Sequence, residues 1–105
     1  MRLTTEQRQV ITQTTRELAG PQATAYLFGS RLQDGQRGGD IDVLVEMPAM
    51  PEMPGSDALH FDIGLRLGAR LECALGGRRV DVLVAGPDSP MSPVLCAARA
   101  EGVRL

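Results

Sequence analysis

Hydrophobic and polar positions alternate along this chain with two different periods. Val10, Ile11, Thr14 and Leu18 recur at three- and four-residue steps, which predicts an amphipathic helix. Thr4 or Thr5 can cap it, Gln7 or Arg8 follow in its first turns, and Gly20-Pro21 stops it. A short strand, Ala23 to Phe28, comes next. Asp40 to Glu46 then reads with period two, so that Ile41, Val43 and Val45 share one face and Asp40 and Asp42 the other. Leu59, Ile63, Leu67, Leu71 and Leu75 lie at four-residue steps, joined by Ala74, and predict a second helix from Asp57 to Leu75. Ser56 or Asp57 can cap it, Arg66, Arg70 and Glu72 make its wetter side, and Gly76-Gly77 ends it. A third strand, Arg78 to Ala85, precedes the turn Gly86-Pro87-Asp88-Ser89-Pro90. A last helix runs from Ser92, with Pro93 in its first turn and Val94, Leu95, Ala97 and Ala98 inward. Gly102 closes it before an edge strand at Val103 to Leu105.

This order predicts an α/β fold: one domain over residues 1–105, a small mixed sheet with carboxylates on one face or rim and helices packed on the other. Two segments lack a period. The arm Leu32 to Gly39 holds glycines at 35, 38 and 39. Between Met47 and Ser56, three prolines in seven residues forbid a regular ladder or helix. The methionines at 47, 50 and 53 there have two readings, an adaptable partner contact or a fold back over the core, and the contact is the slightly better fit.

Composition narrows the function classes. The 105 residues carry a net charge of -2. All eleven cations are arginine, which removes any lysine-based catalysis, and the absence of a basic excess disfavours a long nucleic-acid duplex as main substrate. Cys73 and Cys96 lack metal or redox spacing and read as reduced thiols in the core. No apolar run approaches a membrane span and no leader is evident, so the expected location is the cytoplasm. The aromatic content, 3%, leaves a nucleobase few rings to stack on.

The candidate chemistry lies between Tyr26 and Glu46. Gly29-Ser30-Arg31 follows an apolar strand, where a residue without a Cβ lets backbone approach a ligand and the start of a helical turn would turn N–H groups toward phosphates. Arg31 either adds a charge-assisted contact or is a solvated loop arginine. Asp40 and Asp42 project together, and paired carboxylates favour a shared proton or cation. Mg²⁺ takes one or two carboxylates plus substrate phosphates, so the glycine-serine turn is the natural complement. The bland alternative is a polar hairpin whose aspartates cap a strand. Asp42-Val43-Leu44-Val45 and Asp81-Val82-Leu83-Val84 share the same four-residue text. If the two strands are neighbours, Asp81 emerges on the face of Asp40 and Asp42; otherwise it pairs with Arg78 or Arg79. His60, the single histidine, has no second ligand nearby and reads as a surface residue or local hydrogen bonder.

Gly29-Ser30, the polar arm and Asp40-Ile41-Asp42 before an apolar strand resemble the nucleotidyltransferase signature of the DNA polymerase beta superfamily. Within it, the chain most resembles the minimal nucleotidyltransferases (MNT), partners of HEPN-domain proteins in prokaryotic toxin–antitoxin pairs. The likeness runs from about Ala25 to the end. Gln33, Asp34 and Gly35 depart from the Arg-Gly pair often found early in this arm, so residues 33 to 37 receive no role. The aromatic that often follows the closing apolar strand is missing too. The resemblance implies catalytic, metal-binding carboxylates at Asp40, Asp42 and Asp81, and a nucleotide-binding turn at Gly29, Ser30 and Arg31. It also implies two Mg²⁺ ions, ATP as substrate, and a hetero-oligomer with a HEPN-domain toxin. The expected function is an antitoxin that adenylylates its toxin. The alternative is a non-catalytic antitoxin that neutralises the toxin by occlusion; a transferase acting on an antibiotic is disfavoured, because such enzymes usually carry an added domain.

Overall fold

The computed structural model describes residues 4–28, 41–48, 57–77, 79–87 and 89–105. Seven elements follow one another: α1 (Thr5–Ala19), β1 (Thr24–Phe28), β2 (Ile41–Glu46), α2 (Asp57–Ala74), β3 (Val80–Ala85), α3 (Pro93–Glu101) and β4 (Val103–Arg104). The strands form one sheet in the order β3-β2-β1-β4. β1 runs antiparallel to β2 and to β4, whereas β2 and β3 are parallel, joined across the sheet by α2. This is the predicted mixed sheet.

Local chemistry sets the ends of the helices. Thr4 caps α1 through a reciprocal box, in which Thr4 Oγ1 accepts from Gln7 N at 3.1 Å and Gln7 Oε1 accepts from Thr4 N at 2.9 Å, satisfying two donors that the first turn leaves without partners. Gly76 and Gly77 stop α2 with φ of 78° and 84°, a region closed to most side chains, and Gly77 N closes the end on Glu72 O at 2.7 Å. Ser92 Oγ accepts from Leu95 N at 3.1 Å, which caps α3 just before Pro93.

Strand parity divides the interior in two. Ile41, Val43 and Val45 of β2, Ala25 and Leu27 of β1 and Val80 of β3 meet Ile11 of α1 and Ile63, Leu67 and Leu71 of α2 on one face. On the opposite face Leu44 and Ala85 meet Leu95 and Ala98 of α3, with Tyr26, Phe28 and Leu83 alongside. The expectation of helices on one face alone is therefore corrected: α3 packs on the face that carries Asp42, because Leu44 and Leu83 make that face apolar one step further along the strands. A half-buried ion pair fastens it. Arg99 donates to Glu46 from Nε at 2.8 Å and from Nη2 at 3.0 Å, and this hydrogen bonding raises the guanidinium pKa from its ordinary value.

Several side chains sit elsewhere than the pattern predicts. Cys73 and Cys96 are free and exposed, not core thiols, because their positions fall outside the leucine stripe of α2 and the Leu95–Ala98 face of α3. Ala74, Val94 and Ala97 are exposed as well. Met47 is buried in the larger core, which removes it from the expected contact surface; Met50 and Met53 lie outside the described residues. No described helix is long and apolar enough to cross a membrane.

The two leucines of α2 that differ most in burial give a direct test of this packing. Leu67 is 0% exposed and Leu65 60%. Leu67→Ala should cost about 2–5 kcal/mol, and Leu65→Ala no more than about 0.5 kcal/mol, in urea unfolding followed by circular dichroism.

Candidate active site

The parallel register of β2 and β3 sets Asp42 directly beside Asp81, with Leu44 beside Leu83 and Glu46 beside Ala85. Laterally paired residues point to the same face, so the two carboxylates stand abreast. The antiparallel register adds Phe28 on β1 next to Asp42. Three rows therefore cross this face: Asp81, Asp42 and Phe28; then Leu83, Leu44 and Tyr26; then Ala85, Glu46 and Thr24. The buried contacts of α3 fall on the second and third rows, through Leu44 and Ala85, and Asp81 in the first is 53% exposed. The sheet thus sets two oxygen-donor side chains side by side at the end of this face away from the Leu44 and Ala85 rows, Asp81 exposed and Asp42 half-buried.

Asp81 also has a basic neighbour. Arg79 Nε lies 3.6 Å from Asp81 Oδ1, so the ion-pair reading left open for this aspartate is present together with the carboxylate pairing. A pair this exposed contributes about 0–1 kcal/mol. The backbone of Arg79 is fixed far more firmly than its side chain, since Arg79 O accepts from Ile41 N at 2.9 Å. Gly29, Ser30, Arg31, Asp40 and Arg78 lie outside the described residues. Among the described residues no group of three or more His, Cys, Asp and Glu comes together as a metal site.

A groove of about 680 Å³ runs along the outer side of β3, the edge strand of the sheet among the described residues. Glu72, Arg79 and Asp81 line it, as do His60 and Ser89. Glu72 Oε2 accepts from Val80 N at 3.3 Å, a contact that nothing in the spacing of α2 foretells. His60 is 6% exposed, and among the described residues its Nε2 has no hydrogen-bond partner. The expected surface histidine is thus a core one: it follows Leu59 on the edge of the apolar stripe and is covered by the turn after β3. A Cβ added at Gly86 would come 3.1 Å from His60 Cε1. The turn itself is held by Ser89 Oγ, which accepts from Gly86 N at 2.8 Å.

The burial of His60 makes a counterintuitive expectation. An unsatisfied buried polar atom is costly, so His60→Leu should leave stability unchanged or raise it by about 1 kcal/mol. Gly86→Ala, by contrast, should lower it by about 1 kcal/mol through crowding of the imidazole. Thermal melts of the two variants check both signs.

Neither a protein-family model nor a curated protein matches this sequence. Solved structures do resemble it. A chain of a toxin–antitoxin crystal structure with AMP-PNP superposes with a TM-score of 0.60 at 26% identity, over 92% of this chain and 70% of that one. A chain from a mutant of the toxin–antitoxin MntA-HpeT gives a TM-score of 0.57 at 25% identity, over 97% and 71%. A third, from tri-AMPylated Shewanella oneidensis HEPN toxin in complex with MNT antitoxin, gives 0.50 at 24% identity over 92% and 70%, a likeness of fold alone. The resemblance carried by the sequence motif thus extends to the whole architecture.

Proposed function

We propose that this chain, an antitoxin of the minimal nucleotidyltransferase type by its architecture, transfers the adenylyl group of ATP to a HEPN-type toxin partner with the help of divalent metal. The observation that carries the reading is the in-register pairing of Asp42 with Asp81, one row before the rows through which Leu44 and Ala85 meet α3. The AMP-PNP of one similar structure supports the nucleotide, and the MntA-HpeT pair supports a protein partner. The tri-AMPylated toxin of the third motivates the acceptor test below.

The donor chemistry fits a divalent cation. Two abreast carboxylates are hard, anionic oxygen donors of the kind Mg²⁺ takes, with triphosphate oxygens completing its shell. We assign Asp40, Asp42 and Asp81 to hold it. Such an ion, when bound, neutralises triphosphate charge and eases deprotonation of an attacking hydroxyl. The remaining work belongs to the chain. Gly29 and Ser30 grip the β- and γ-phosphates through backbone and hydroxyl donors, and Arg31 adds charge. Asp81 accepts the proton of the acceptor hydroxyl on a carboxylate oxygen. The hydroxyl oxygen then bonds to the α-phosphorus, the bond from that phosphorus to the bridging oxygen breaks, and pyrophosphate leaves with the electron pair. Catalysis by positioning and charge suits so small a scaffold.

Incubated with its partner, Mg²⁺ and ATP, the protein should add one or more adenylyl groups to the partner, read by intact-mass spectrometry. Asp42→Asn should slow the transfer by about 100-fold or more while leaving the melting temperature close to that of the unmodified protein. Full inhibition of the partner by the Asp42→Asn, Asp81→Asn double variant, without any added mass, would show instead that the chain acts by occlusion.

A further inference from the structure

We infer that Arg79 is a resident counter-ion of the carboxylate row that changes partner to the nucleotide's phosphates once a divalent cation is held by Asp81, an inference that rests on the reading above. Four observations meet at this residue. Its backbone carbonyl is locked to Ile41 N at 2.9 Å, so the side chain departs from a fixed point at the start of the β2–β3 pairing. Position 79 has the parity of Asp81, which directs the guanidinium toward the carboxylate face. Nε and Asp81 Oδ1 are 3.6 Å apart. Arg79 is nevertheless 72% exposed and lines the groove along β3 together with Asp81.

These facts describe a cation that is near a carboxylate and weakly held. At 3.6 Å and in water the pair is cheap to break. A divalent ion on Asp81 cancels the charge that attracts the guanidinium and repels it directly, whereas the phosphates that arrive with that ion supply several anionic oxygens in the geometry a guanidinium fork prefers. The groove leaves room for the change. Metal and Arg79 therefore compete for Asp81 without nucleotide, and cooperate once nucleotide is present.

The two halves predict shifts of opposite sign in one variant. With Mn²⁺ alone as probe, followed by paramagnetic resonance, Arg79→Ala should bind the ion about two- to five-fold more tightly than the unmodified protein. With ATP and saturating Mg²⁺, followed by calorimetry, the same variant should bind nucleotide about ten-fold more weakly. Arg79→Lys should return the Mn²⁺ affinity to its starting value, since the charge is restored, and recover only part of the ATP affinity, since the fork is not. An Arg79→Ala variant equal to the unmodified protein in either constant overturns the assignment. If the unmodified protein binds neither Mn²⁺ nor ATP, the metal-dependent reading of the site fails first and the assignment with it.

Discussion

The parallel, in-register pairing of β2 with β3 is the constraint on which the rest of the structure depends. A one-residue slip would turn every side chain of one strand to the other face. It would bury Asp81 against α2 and drive Val80, Val82 and Val84 to the side of the carboxylates. Burial forbids this, because Val43 and Val45 are fully enclosed and Val82 and Val84 pack against the same core. The position of Asp81 beside Asp42 is thus enforced by the valines between and around them. Two charged groups that repel are held abreast by apolar contacts on the far side of the sheet.

That logic explains why much of the architecture is legible in the sequence. The repeated text Asp-Val-Leu-Val fixes parity in both strands, and the leucines of α2 mark the face that covers them. The apolar Leu44 and Leu83 within the repeat are also the positions on which α3 settles, yet the repeat alone carries no sign that a helix from beyond β3 returns to that side. His60 and the cysteines depart from the sequence pattern for a related reason. Residue type predicts their burial only weakly, and the deciding contacts come from elements distant in sequence: the Gly86 turn covers His60, and among the described residues nothing covers Cys73 or Cys96. The carboxylates announce themselves by their strand pattern, whereas the Arg79–Asp81 ion pair depends on the backbone direction at position 79, which the strand text alone does not specify. Gly29, Ser30, Arg31 and Asp40 rest on the motif, as they lie outside the described residues.

The Glu46–Arg99 pair shows how the protein separates two uses of acidic side chains on one strand. Glu46 is matched by a guanidinium fork in good geometry and holds α3. Asp42 is four residues away on the same face, one row before the Leu44 row on which α3 packs. The strand that supplies half of the candidate site is also the strand to which α3 is tied, so the helix steadies the sheet without covering its acidic end.

The division of that face into rows has an electrical consequence. Adjacent same-face rows on a strand are separated by about 7 Å, and here that short interval runs from the exposed Asp81 and half-buried Asp42 to hydrocarbon packed against α3. The acidic row lies on a dielectric boundary. Field lines from its charges are poorly conducted through the Leu44–Leu83 side and spread instead into the water in front of the sheet, which strengthens their pull on cations beyond that of the same charges on an open surface. Substitutions in the aliphatic row, which carries no charge of its own, would therefore change the potential at Asp42 and Asp81 by changing how deeply water wets the sheet behind them.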